Sequence, residues 1–172
     1  NIVANMPSLH RNIWWTFWGY NNYIQSLLFV VVGYIKDWYS SNKLYIIENI
    51  ILNDKEEITV SWGRIDKKPN GVLLILHTLC GNYAESAYLA TEIRNELNLI
   101  PVSYSRRGHS SSLINPKFNT VGNIDDLIFI IDKIKNKYPE LPIYAIGLSA
   151  GTCLLTQYLS KYNLHIKAAV LI

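Results

Sequence analysis

Apolar and polar positions follow two regimes that meet near residue 44. Before it the chain is dense in aromatic and aliphatic residues, among them Trp14, Trp15, Trp18 and the unbroken run LLFVVVGYI at 27–35. This predicts a helical and irregular aromatic arm over 1–43, packed on a domain that fills 44–172. After residue 44, strand-like and helix-like patterns alternate. Residues 45–52 read as a strand, Asn53-Asp54-Lys55 as a turn, and Ile58, Val60 and Trp62 alternate with polar neighbours as a second, antiparallel strand should. The run VLLIL at 72–76 has the continuous apolar character of a strand buried on both faces. Leu89, Ala90, Ile93 and Leu97 then fall at helical spacing, 100–104 is again strand-like, and Ile124, Leu127, Ile128, Ile131, Ile134 and Tyr138 form one helical stripe that stops at Pro139. A strand at 143–146, a helix face of Leu154, Leu155, Tyr158 and Leu159, and a last strand at 168–172, expected to be buried, complete the series.

Repeated strand–helix alternation implies right-handed crossovers and a mostly parallel sheet with helices on both faces, an α/β fold. In such sheets chemistry gathers at the carboxyl ends of the strands. Three loops leave those ends: 77–81, 105–112 and 147–151.

The third loop carries the clearest chemistry. Gly147-Leu148-Ser149-Ala150-Gly151 is a GxSxG sequence directly after a predicted strand and directly before a predicted helix, the context a nucleophile elbow requires. The sharp turn lifts the Ser149 hydroxyl above the sheet edge, and side chains at Gly147 and Gly151 would collide with the neighbouring strand and helix. It also sets the Ala150 N–H at a helix N-terminus, where an unpaired donor and the helix dipole can stabilise an oxyanion. The plainer alternative is a turn that only joins strand to helix.

Composition narrows the setting. About half of the 172 residues are apolar, enough for one domain with a substantial core. The net charge of +3 is dispersed apart from Lys67-Lys68 and Arg106-Arg107, which argues against a nucleic-acid track. Neither GxGxxG nor GxxxxGK[ST] occurs, so nucleotide binding has no motif to rest on. Cys80 and Cys153 lack ligand spacing, and nothing resembles a cleavable secretory signal, favouring a cytoplasmic or membrane-associated setting over a secreted one. The run 27–35 falls well short of the roughly 20 residues that span a bilayer. Burial against the domain is expected for it, with peripheral contact at a membrane interface as the alternative. The start at Asn1 and the apolar final strand suggest a piece of a longer protein.

From 72 to 172, and more faintly back to Pro7, the sequence resembles the α/β-hydrolase superfamily. It is most similar to the branch of YheT-like hydrolases, plant embryogenesis-associated proteins and animal lipid-acting α/β-hydrolase-domain proteins. Asn21-Asn22-Tyr23-Ile24-Gln25-Ser26 resembles that branch's Asn-Gly-His-Leu-Gln-Thr segment, and His77-Thr78-Leu79-Cys80-Gly81 its His-Gly-Leu-Thr-Gly. Arg107-Gly108 with Ser110 resembles its Asn-Arg-Gly stretch, and Asp126-Leu127 with Tyr138-Pro139 its helix before the elbow. The resemblance implies that Ser149 is an acyl-accepting nucleophile and that the backbone N–H groups of Leu79 and Ala150 form the oxyanion hole. It also implies a lipid-like ester substrate and no metal or organic cofactor. Thr78 and Thr152 stand where the family has glycine.

In this fold the acid and histidine follow the serine in the chain. After Ser149 there is no Asp or Glu, and the single histidine, His165, precedes the last strand and belongs at the opposite end of the sheet. His77 is expected to shape its loop, His109 to lie on the surface or a lid, and His10 is unplaced. Arg106 and Arg107 are expected to order their loop through backbone bonds, with an anionic head group as the alternative ligand. Cys80 should pack in its loop and Cys153 be buried, while Asp125 and Asp126 should act electrostatically on a first helical turn. The reading is therefore a serine hydrolase cut short after its sixth strand, with its acid and histidine beyond residue 172. The alternative is a catalytically inactive module that binds a partner or membrane. Oligomeric state is not legible.

Overall fold

The computed structural model describes residues 21–117, 121–162 and 165–172. Trp14, Trp15, Trp18 and His10 lie outside them. Contacts divide the chain between Ile35 and Lys36 into two compact units. In order, the elements are α1 (Asn22–Leu44), β1 (Tyr45–Ile51), β2 (Glu57–Gly63), β3 (Gly71–Leu76), α2 (Ala87–Leu97), β4 (Leu99–Tyr104), α3 (Asp125–Lys137), β5 (Ile143–Gly147), α4 (Ala150–Lys161) and β6 (Ile166–Leu171).

Six strands form one sheet in the order β1-β2-β4-β3-β5-β6. β1 and β2 pair antiparallel, as do β2 and β4, whereas β4, β3, β5 and β6 run parallel. The alternation of side chains along β3 builds two cores. Val72, Leu74 and Leu76 face a core shared with α3 and α4, while Leu73 and Ile75 face one shared with α2. Of the stripe read from sequence on α3, Ile124, Leu127, Ile131 and Ile134 are buried, Ile128 and Tyr138 are half-buried, and Ile130, outside that stripe, is wholly enclosed as well. Each such side chain contributes about 1.5–3 kcal/mol.

The N-terminus of α2 is completed from outside. Ser86, its N-cap, has φ 63° and offers no side-chain cap. Instead the Asp37 carboxylate accepts the N–H groups of Ser86 (3.1 Å) and Tyr88 (3.0 Å), placing a negative charge at the positive end of the helix dipole.

Two expectations of burial are not met. Leu27, Phe29, Val30 and Ile35 on α1 are exposed, and only Ser40, Ser41 and Leu44 of that helix are buried. The run is apolar on every side of a helix, so no single stripe can be turned inward. No described helix is long and apolar enough to cross a membrane. β6 is the second correction. Expected to be enclosed, it buries only Ile166, because among the described residues it is the outer strand of the sheet and pairs on one side alone, with β5.

Candidate active site

β3 and β5 are adjacent and parallel with Leu76 opposite Gly147, so the loops that follow them leave the same sheet edge side by side. The Leu148 N–H donates to the Leu76 carbonyl at 3.0 Å and stitches the two loops together at their roots. Ser149 then turns sharply, with φ 48° and ψ −111°, before α4 begins at Ala150. A left-handed φ at a residue with a Cβ is strained and persists only where the surroundings impose it. Here Ser149 N–H donates to Ile172 O (2.8 Å), its carbonyl accepts Thr152 N–H (2.9 Å), and Ile172 N–H donates to Gly147 O (2.9 Å).

The glycines on either side are required by space. A Cβ on Gly151 would strike the Leu76 carbonyl, coming within 2.8 Å of its carbon, and one on Gly147 would meet Thr152 Cα at 2.8 Å. Bringing α4 this close to β3 and β5 points Ser149 outward. An N-cap serine ordinarily accepts an N–H from the first helical turn. Ser149 makes no such bond, and its exposed hydroxyl has no hydrogen-bond partner among the described residues. The Thr152 hydroxyl donates to the Ser149 carbonyl, so the threonine at a usual glycine position reinforces the turn.

The loop after β3 contributes the second wall. Neither the Leu79 N–H nor the Ala150 N–H has a hydrogen-bond partner among the described residues. His77 is buried with both ring nitrogens committed. Its Nε2 accepts the Arg106 N–H (3.2 Å), which leaves the proton on Nδ1 to donate to the Thr78 carbonyl (2.7 Å). Burial first, and the Arg106 guanidinium second, push its pKa down to about 3. A neutral ring with no free nitrogen shapes the loop and cannot serve as a base.

The remaining candidates separate by position. His109 is half-buried, with Nδ1 2.9 Å from the Gly81 carbonyl and its ring centroid 5.0 Å from that of His77, so it belongs to the inner wall of the loop rather than to the surface. His165 precedes β6 at the opposite edge of the sheet, where its Nδ1 accepts a hydrogen bond from Lys135 Nζ at 2.6 Å. Arg106 binds backbone as expected, donating to the carbonyls of Thr78 and Leu79. Arg107 does not: it forms a buried pair with both oxygens of Asp126 (2.8 Å each) and a second ion pair with Asp54. Asp126 is thus the buried counter-ion of Arg107, a role the sequence reading missed. An Arg and an Asp nineteen residues apart give no local pattern from which to find it. Asp125 is exposed in the first turn of α3. Cys153, expected to be buried, is exposed, as is Cys80, expected to pack in its loop.

A strained serine in a strand-turn-helix on the carboxyl edge of a mostly parallel sheet defines a class. Residues 71–172, more than half of the chain, match the family model described as alpha/beta hydrolase fold, and the chain belongs to that family. It is similar to the phospholipase ABHD3 of Mus musculus, 31% identical over 126 residues that take in 68% of this chain and 31% of that protein. It is also similar to the monoacylglycerol lipase of Saccharomyces cerevisiae, 28% identical over 99 residues, or 56% of this chain and 22% of that one. Among solved structures, a thermostable carboxyl esterase from Bacillus coagulans superposes with TM-score 0.64 at 12% identity, covering 74% of this chain and 44% of its own. The chain spans 31% to 40% of the length of the ABHD3 relatives it matches.

Proposed function

We propose that the complete protein is a serine hydrolase that cleaves carboxylic, lipid-like esters through an acyl-Ser149 intermediate. The observation that carries this reading is the strained Ser149 backbone with its unengaged hydroxyl. Attack by Oγ on the ester carbonyl moves negative charge onto the carbonyl oxygen, and the N–H groups of Leu79 and Ala150 are the donors assigned to that charge. The proton of Oγ needs a base. His77 and His165 are excluded by their bonding and position, and His109 turns its Nδ1 to the Gly81 carbonyl. The reading therefore assigns the base and its acid to chain beyond Ile172, in keeping with the fraction of the relatives' length that this chain spans. The phospholipase and lipase names among the relatives support a lipid-like substrate. Peripheral contact with a lipid surface belongs to the same reading, supported by the exposed Leu27 and Phe29 of α1.

The test uses the complete protein with one ester presented in phosphatidylcholine vesicles and a soluble short-chain ester. Ser149→Ala is expected to lower turnover of both by at least about a thousandfold. The pair Leu27→Glu and Phe29→Glu should lower the vesicle rate alone. Turnover retained by Ser149→Ala would remove the mechanism, and an unchanged vesicle rate in the double variant would remove the surface contact.

A further inference from the structure

The loop that carries Leu79 is gripped by two opposite charges. From one side the Glu85 carboxylate accepts the Thr78 N–H at 2.6 Å through Oε2 and the Thr78 hydroxyl at 2.7 Å through Oε1. From the other, Arg106 donates to the carbonyls of Thr78 and Leu79. Every polar group of Thr78 is thereby fixed, and the peptide group that contains the Leu79 N–H and the one after it are both held by their carbonyls. A β-branched residue in place of glycine narrows the backbone choices of the loop. Its hydroxyl gives the carboxylate a second point of attachment. Gly81 makes room for this arrangement, since a Cβ there would collide with the Glu85 carboxylate, 2.6 Å from Cδ. Charge-assisted bonds of this kind are about twice as strong as neutral ones, so a two-point clamp on one residue sets the loop more firmly than a turn hydrogen bond would. The turn bond present, Gly81 N–H to Thr78 O, is long at 3.4 Å.

We propose that Glu85 is a positioning residue for catalysis: clamping Thr78 against the pull of Arg106, it holds the Leu79 N–H where the oxyanion forms. This rests on the serine-hydrolase reading above and extends it to a residue that touches no substrate. A donor displaced by a fraction of an ångström loses most of its value to a developing charge while ground-state binding is unaffected.

The distinguishing readout is the ratio of turnover on an oxygen ester to turnover on the matching thionoester, measured in the complete protein. A thionoester places sulfur, a poor hydrogen-bond acceptor, where the oxyanion would be, so damage to the oxyanion donors lowers the ester rate selectively. A general loosening of the site lowers both alike. Glu85→Ala is expected to lower kcat on the ester about ten- to a hundredfold with KM within about twofold, and to shrink the ratio about tenfold. Glu85→Gln, which keeps an acceptor for the Thr78 N–H, should recover most of that loss. Thr78→Val removes only the hydroxyl and should show a smaller shift in the same direction; it decides the matter by the same ratio should Glu85→Ala fail to fold. An unchanged ratio in a folded variant overturns the positioning role while leaving Ser149 as nucleophile. Ester turnover by Ser149→Ala, run alongside, would instead overturn the reading on which the role rests.

Discussion

At the scale of single residues, the strained serine and its two glycines form one device. Ser149 holds φ 48° because α4 must start almost against β3 and β5, and that approach is open only where Gly147 and Gly151 carry no Cβ. Both glycines face backbone atoms, which cannot swing aside as a long side chain can. Gly151→Ala is therefore expected to destabilise the protein by about 1–3 kcal/mol through overpacking. A urea denaturation midpoint indistinguishable from wild type would show that α4 can retreat freely. This device was legible in the sequence, because GxSxG between an apolar strand and an apolar helix face has a local spacing that demands it. The Glu85–Thr78–Arg106 grip and the Arg107–Asp126 pair were not. Their members lie 7 to 28 residues apart, and no periodicity marks a contact that exists only once two loops have folded over one edge.

At the scale of elements, sequence periodicity located every strand and helix from β1 to β6 within a few residues, including the antiparallel start and the parallel remainder. It failed where burial depends on what lies alongside rather than on the pattern itself, as in the apolar stretch of α1 and the outer strand β6. The loop after β3 gives a pH-dependent consequence. His77 is neutral in the fold with its pKa pushed down to about 3, whereas an unfolded histidine titrates near 6.5. Between these values the unfolded chain binds a proton that the folded one does not, so stability is complete above the upper value and falls as pH drops toward the lower. The slope for one such group is about 1.4 kcal/mol per pH unit. Chemical denaturation between pH 4 and pH 7 (about one measurement per half unit) should show a decline that His77→Gln makes shallower. Equal slopes in the two proteins would mean that His77 takes up its proton without leaving the fold.

At the scale of the whole molecule, two layers of helices on a mostly parallel sheet bring the loops 77–81, 105–112 and 147–151 to one edge, and membership of the α/β-hydrolase fold family agrees with that arrangement. On the proposed function, half of a catalytic apparatus lies there: Ser149 as the nucleophile, the N–H groups of Leu79 and Ala150 as donors, and the charges that fix their loop. The same proposal assigns the other half, base and acid, to the rest of the complete protein. The most direct measurement treats that complete protein with a fluorophosphonate and maps the adduct by peptide mass spectrometry. The account predicts one adduct, on Ser149, lost in Ser149→Ala and lost on prior denaturation. An adduct on another residue, or none from a protein that still turns over ester, would contradict it.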